Sequence, residues 1–247
     1  MNIQNCTALV TGANRGIGKA YIEALANAGA KRIYATARTL ESLAPIVAIA
    51  PDRIIPLALD ITKPEQVNGV AGIALDVNLL INNAGILGGG SGAFADDSLE
   101  TAQREMQTNY FGTYAMCLAF APILKNNAGG ALVNLLSIAS VVGIPSISSY
   151  CASKAALHGL TQGMRAELKA QGTLVVGVYP GPIDTDMAAG IEMEKFPPLD
   201  VANRTLTAIE NNQEDVYTDP VAEHVFSGLS APLKAIEQQF SAMLPQA

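Results

Sequence analysis

The sequence predicts an α/β protein: a doubly wound, mostly parallel sheet of about seven strands flanked by helices on both faces. Two observations carry that expectation. The apolar run Thr7-Ala8-Leu9-Val10 leads straight into Thr11-Gly12-Ala13-Asn14-Arg15-Gly16-Ile17-Gly18 and then into the amphipathic stretch Lys19-Ala20-Tyr21-Ile22-Glu23-Ala24-Leu25. That is the order of a buried strand, a glycine-rich turn and a helix. Short apolar runs then alternate with helical segments along the 247 residues, as strands joined by helical crossovers do. One α/β domain over 1–247 accommodates this length.

Taken in order, strands are expected at 6–11, 32–37, 54–60, 77–83, 131–137 and 173–179, with a weaker one at 215–218. Helices are expected at 16–28, 64–74, 98–125, 149–170, 199–211 and 221–244. Gly29 suits the C-terminal cap of the first helix, and Thr62 ahead of Pro64 marks the start of the second. Residues 185–198 hold Met187, Gly190, Ile191, Met193, Phe196 and Pro197-Pro198 with no clean period. This stretch reads as a long substrate loop, an apolar lid to which Ile86 and Leu87 add.

Composition narrows the function classes. Hydrophobic residues make up 49% and charged ones 15%, enough for a sizeable core. A net charge of −7 argues against a nucleic-acid or anionic-membrane partner. There is no basic-then-apolar leader and no apolar run of membrane-spanning length, so a cytoplasmic protein is expected. Cys6, Cys117 and Cys151 lack metal-ligand spacing and suit a reducing compartment. No metal is expected, so the chemistry falls to side chains and an organic cofactor.

In doubly wound sheets, ligands bind beyond the carboxyl ends of the strands, where the strand order reverses. The first strand ends in the glycine turn. Gly12 permits the tight turn, Gly16 lets the backbone approach a phosphate, and Gly18 lets the helix pack closely, while free N–H groups at the helix start favour an anion. The second strand ends at Arg38, where an NAD-binding domain places an acid for the ribose 2′-hydroxyl. Arg38 and Arg15 together suit a 2′-phosphate and favour NADP(H). Asp60, at the end of the third strand before Ile61, either accepts from an adenine amino group or opens the next helix. The fourth strand ends Asn82-Asn83-Ala84-Gly85, small enough for a ribose to lie against the backbone. Ser137 ends the fifth. Thirteen residues on, Tyr150 and Lys154 stand at i and i+4 on one helical face. His158 and His224 sit in no metal or triad pattern and read as structural, and Cys151 points away from the face of Tyr150.

Thr-Gly-x-x-x-Gly-x-Gly, Asn-Asn-Ala-Gly, Asn109 in Thr-Asn-Tyr-Phe-Gly, Ser137, Tyr-x-x-x-Lys and Pro180-Gly181-Pro182-Ile183-x-Thr185 occur in order. In these features the chain resembles a short-chain dehydrogenase/reductase of the compact type, from residue 5 to about 186. The resemblance implies a Rossmann-type fold. It places Gly12, Asn14, Arg15, Gly16, Ile17, Gly18, Arg38, Asp60, Ile61, Asn83, Ala84, Gly85, Tyr150, Lys154, Pro180, Gly181, Ile183 and Thr185 on the cofactor. Tyr150 becomes the general acid/base, its pKa lowered by Lys154, and Ser137 holds the substrate oxygen. Lys154 also holds the nicotinamide ribose, Asn109 fixes a water linking Lys154 to solvent protons, and Thr185 meets the carboxamide. The expected partner is a small carbonyl or alcohol substrate, and the expected assembly a homodimer or homotetramer built through the helices near 98–125 and 149–170. Many relatives that reduce acyl thioesters end with Gly-x-x-x-x-Val-Asp-Gly-Gly. Here the chain reads Glu214-Asp215-Val216-Tyr217-Thr218-Asp219-Pro220, which weakens the alternative of a 3-oxoacyl thioester reductase. A non-catalytic NADP(H)-binding sensor is a further alternative, but a sensor has no need of both Tyr150 and Lys154.

Overall fold

The computed structural model describes residues 1–88, 94, 97–145, 147–190 and 192–229. Seven strands form one sheet: β1 (Thr7–Val10), β2 (Arg32–Ala37), β3 (Ile54–Ala58), β4 (Leu79–Asn82), β5 (Gly130–Leu135), β6 (Thr173–Tyr179) and β7 (Asp215–Tyr217). Their order is β3-β2-β1-β4-β5-β6-β7, and every pair is parallel. β1 and β4 are adjacent in space but distant in sequence, with Ala8 opposite Leu79 and Val10 opposite Ile81. The strand order reverses at this seam. A cleft therefore opens beyond the ends of β1 and β4, where the motifs lie.

Helices cover both faces, which is why β1, β4 and most of β5 are buried without the alternation of a half-exposed sheet. Among the described residues the α-helices are α1 (Gly16–Asn27), α2 (Ala44–Val47), α3 (Pro64–Ile73), α4 (Ser98–Glu105), α5 (Thr113–Asn126), α6 (Ser148–Lys169), α7 (Pro198–Glu210) and α8 (Pro220–Ser227). Successive strand residues face opposite sides. Val10, Ile81 and Val133 pack with Ile22 of α1 and Val201 and Ile209 of α7. Leu9, Leu80 and Leu132 pack on the other side with Met116, Phe120 and Leu124 of α5 and Met164 of α6. The hydroxyls of Tyr21 and Thr205, 2.9 Å apart and buried, tie α1 to α7.

Several expected boundaries shift. The helix expected at 98–125 is α4 and α5 joined through a π-helical stretch, Met106–Gly112. β5 stops at Leu135, and Ser137 instead caps a 3-10 turn at Ile138–Ser140. Lys63, not Thr62, is the cap residue of α3. Gly29, with φ of +80°, follows α1 as expected. The loop after β6 is less irregular than its sequence suggests. Asp184 N donates to Phe196 O at 2.9 Å, and Phe196 N to Pro182 O at 2.9 Å. Phe196 packs against the core and closes the loop's base, so it is not part of a lid. Met187 and Met193 stand exposed. Ile191 lies outside the described residues, as does the expected helix beyond Leu229.

Candidate active site

The glycine turn is built as its spacing implies. Gly12 and Gly16 hold φ of +64° and +51°, which other residues adopt at a cost. At Gly18 a Cβ would lie 2.0 Å from Gly12 O, so only glycine lets α1 start this close to the turn. Arg15 occupies the cap position of α1 in extended backbone and makes no side-chain cap. The first N–H groups of α1 are thus left for an outside acceptor.

The fourth strand end is stitched to this turn by Thr11, which sequence reasoning passed over. Its buried hydroxyl accepts from Asn83 N and Ala84 N, each at 3.0 Å. The Asn83 side chain donates to Thr11 O at 2.9 Å and Gly12 O at 3.0 Å. Asn83 therefore spends its amide nitrogen on the turn.

Arg38 stands exposed at the end of β2 and, with Lys63, lies near enough to Asp60 to favour its carboxylate. Burial raises the Asp60 pKa, but the Thr62 hydroxyl at 2.7 Å and Thr62 N at 3.0 Å outweigh it, and the net shift is downward. Asp60 thus orders the turn before α3 without capping the helix. Ile61 is buried against Gly112, where a Cβ would sit 2.8 Å from Ile61 Cγ1. Arg15, expected as a second cation for a 2′-phosphate, pairs with Asp186 at 3.3 Å, both side chains exposed. The partner comes from the loop after β6, which composition alone does not place there.

Ser137, Tyr150 and Lys154 converge beyond β5. Ser137 Oγ accepts from Ala139 N at 3.1 Å, so the serine is a cap as well as a site residue, and it is hydrogen-bonded to the Tyr150 hydroxyl. Lys154 is buried, donates from Nζ to Leu135 O at 2.7 Å, and lies 5.8 Å from the centre of the Tyr150 ring. Burial pushes the Tyr150 phenol up to about 12; the bond from Ser137 pulls it back in part, and Cys151 and Glu105 add to the rise. Burial alone brings Lys154 down to about 8. Desolvation, the largest influence on each, favours the neutral form of both groups.

Asn109 sits inside the π-helical stretch, a device that recurs at functional sites. Its side chain is fully engaged: Oδ1 accepts from Ile86 N at 2.8 Å, and Nδ2 donates to Ile86 O at 2.9 Å and Ser153 Oγ at 3.0 Å. Ser153 in turn donates to Tyr150 O at 2.8 Å. The amide is thus spent on ordering Ile86 and Ser153. Gly85 packs beside the pair; a Cβ there would lie 3.2 Å from Asn109 Oδ1 and 3.6 Å from Lys154 Nζ.

The Pro180-Gly181-Pro182 turn is held by Asp219, another residue the sequence reading did not single out. Gly181 N donates to Asp219 Oδ2 at 2.8 Å, while Asp219 Oδ1 caps α8 through Ala222 N at 3.0 Å. An Asp followed by Pro at a helix start was the available signal. Ile183 is buried, and Thr185 lies over Gly16, whose Cβ would meet Thr185 Cγ2 at 3.1 Å. Cys151 turns to Ile144, whose N–H lies 3.3 Å from its sulfur, and His158 Nδ1 lies 3.0 Å from Tyr179 Oη. Among the described residues no cluster of His, Cys, Asp and Glu suits a metal, and no helix is long and apolar enough to cross a membrane.

Residues 6–195 match the family model described as short chain dehydrogenase. A solved short-chain dehydrogenase from Burkholderia cenocepacia in complex with NADP is 40% identical, with a TM-score of 0.88 over 99% of this chain and 100% of that one. The 3-oxoacyl-[acyl-carrier-protein] reductase FabG of Vibrio cholerae is 33% identical over 204 residues, covering 79% of this chain and 80% of the relative. An uncharacterized oxidoreductase of Staphylococcus saprophyticus is 29% identical over 236 residues, covering 90% and 100%.

Proposed function

Because the chain belongs to the short-chain dehydrogenase family and is an oxidoreductase, we propose that it transfers a hydride between NADP(H) and a carbonyl or alcohol substrate, an apolar ketone or aldehyde. The observation that carries the reading is the convergence of Ser137, Tyr150 and Lys154 beside Gly85, at the end of the seam that also holds the open start of α1. The donor set fits a dinucleotide. Backbone N–H groups of the glycine turn suit the pyrophosphate, Asp60 the adenine side, and Arg38 the 2′-phosphate. The Burkholderia relative with NADP supports the same choice.

When bound, the nicotinamide carries the hydride. In reduction, Tyr150 gives its phenolic proton to the carbonyl oxygen. Ser137 donates a hydrogen bond to the same oxygen as negative charge gathers on it, a contribution often worth about 2–4 kcal/mol. Lys154 holds the nicotinamide ribose with its remaining N–H donors, and Thr185 the carboxamide. Alcohol oxidation reverses the proton's path and needs the phenolate, so it gains with rising pH.

The Vibrio relative favours a second reading, reduction of a 3-oxoacyl thioester. Against it, β7 leads here into Thr218, Asp219 and α8 where many thioester reductases have Val-Asp-Gly-Gly. A panel of ketones, aldehydes and a 3-oxoacyl thioester, followed by loss of NADPH absorbance, separates the two. Tyr150→Phe is expected to cut turnover at least 100-fold with NADPH affinity nearly unchanged, since the ring stays and the proton goes. Arg38→Asp is expected to swing preference toward NADH. Substantial turnover by Tyr150→Phe, or equal kcat/KM for the two cofactors in the parent, counts against the respective assignment.

A further inference from the structure

We propose that Asp219 is a positioning residue of this site: by fixing the peptide group between Pro180 and Gly181, it holds the Ser137 turn where its hydroxyl meets the substrate oxygen. The proposal rests on the reading of Ser137 as the residue that holds that oxygen.

β5 and β6 stay paired beyond the end of β5. Leu136 N donates to Val178 O at 2.8 Å and Ile138 N to Pro180 O at 3.0 Å, so the turn after β5 hangs from Pro180. Ser137 lies between these two rungs, with its Oγ 3.5 Å from the same Pro180 O. On its other edge β6 pairs with β7, and Gly177 N donates to Glu214 O at 2.8 Å. β7 ends at Tyr217, and Gly181 N donates to a side chain, Asp219 Oδ2, at 2.8 Å. Pro180 O and Gly181 N belong to one planar trans peptide and point in opposite directions. A tilt of that plane at Gly181 therefore moves the acceptor from which the Ser137 turn hangs.

The Asp219 side chain is more than a cap needs. It is 1% exposed, and α8 uses one of its oxygens, the Oδ1 that accepts from Ala222 N at 3.0 Å. A serine hydroxyl caps a helix as well, and a buried carboxylate is costly unless its oxygens are used. The second oxygen is used twice, by Gly181 N and by the Thr218 hydroxyl at 2.9 Å. The fit against the peptide is close. A Cβ at Gly181 would lie 2.6 Å from Asp219 Oδ1 and 3.2 Å from Val221 Cβ. The start of α8 thus bears on one side of the peptide whose other side carries the Ser137 turn.

Asp219→Ser keeps a cap for α8 but leaves Gly181 N without its acceptor, since a hydroxyl offers a single oxygen on a shorter arm. Amide exchange by NMR, with neither cofactor nor substrate added, compares it with the parent. Exchange at Gly181 and Ile138 is expected to quicken roughly tenfold, with Ala222 unchanged. In NADPH-dependent reduction kcat should fall about tenfold, while the KM for NADPH holds within about twofold because the glycine turn and Arg38 are untouched. In a Ser137→Ala background the same substitution should cost kcat less than about twofold, because its effect runs through Ser137. Unchanged exchange at Gly181 overturns the proposal, as does exchange that quickens at Gly181 but not at Ile138. An equal loss of kcat in both backgrounds overturns it too. Asp219→Thr, a second short cap, carries the same measurements if the serine variant does not fold. Full kcat in Ser137→Ala instead strikes the role given to Ser137, and exchange at Ile138 then still decides whether Asp219 holds its turn.

Discussion

Lys154 is 4% exposed and among the described residues donates to a carbonyl, Leu135 O, rather than to a carboxylate, so its charge is held against the cost of desolvation. The ammonium pKa falls to about 8 from its ordinary 10.5. Below about pH 8 the folded chain carries the full burden of that buried charge. Between about 8 and 10.5 the folded protein has lost the proton and the unfolded chain still binds it, so this group's contribution to stability rises with pH there. Lys154→Met is therefore expected to stabilise the protein at pH 7 by on the order of 2 kcal/mol while removing turnover. Urea unfolding at pH 7 and pH 10 checks it: the gain should be clear at the first and small at the second. In the parent, NADPH affinity should weaken above about pH 8, as the lysine loses the charge that holds the ribose. A destabilised Lys154→Met at pH 7 would mean that the methylenes and the bond to Leu135 outweigh the charge.

Among the elements, the seam between β1 and β4 is joined by the Thr11 hydroxyl. Thr11→Val keeps the shape but leaves Asn83 N and Ala84 N without their acceptor. A loss of roughly 2–3 kcal/mol is expected in urea unfolding, together with weaker NADPH binding; a loss under about 0.5 kcal/mol would show that the amides find other acceptors. The loop after β6 divides in two. The backbone pairs between Pro182, Asp184 and Phe196 should resist hydrogen exchange throughout, whereas the stretch carrying Met187 and Met193 should gain protection only with NADPH and a substrate analogue.

These same elements show what could be read in the chain. Strand ends were legible because Gly12, Arg38 and Asn83 interrupt apolar runs with residues that strands do not need. The Tyr150 and Lys154 pair was legible because helical spacing alone puts both on one face. The π-helical stretch was not, since one extra residue in a turn leaves no mark in the nearly continuous pattern of 98–125. Arg15 with Asp186, Asp219 with Gly181 and Glu105 with Gly88 escaped for another reason. Each joins residues 17 to 171 positions apart, and only the folded chain makes them neighbours.

For the whole molecule, α5 turns Met116, Cys117 and Phe120 into the core but leaves Leu118 59% exposed, near Ala115, Ala119 and Pro64, with Phe111 51% exposed in the preceding turn. We expect a homodimer or homotetramer to cover this face. Sedimentation at micromolar concentration should show it, and Leu118→Lys should move the population toward monomer. A monomeric parent would remove the idea.

The seam has one more consequence, in time. β1 gains its β4 neighbour only after about 70 further residues, because the chain first builds outward through β2 and β3 before returning. As the chain emerges from the ribosome, the nucleotide cradle up to Gly85 is therefore complete before Ser137, Tyr150 and Lys154 exist. At roughly 10 residues per second, that interval lasts several seconds. During it β4 offers a bare parallel edge waiting for β5. The early half of this fold can be ready to grip a nucleotide before it can do anything with one, and an occupied cradle would steady that edge until the rest of the sheet arrives.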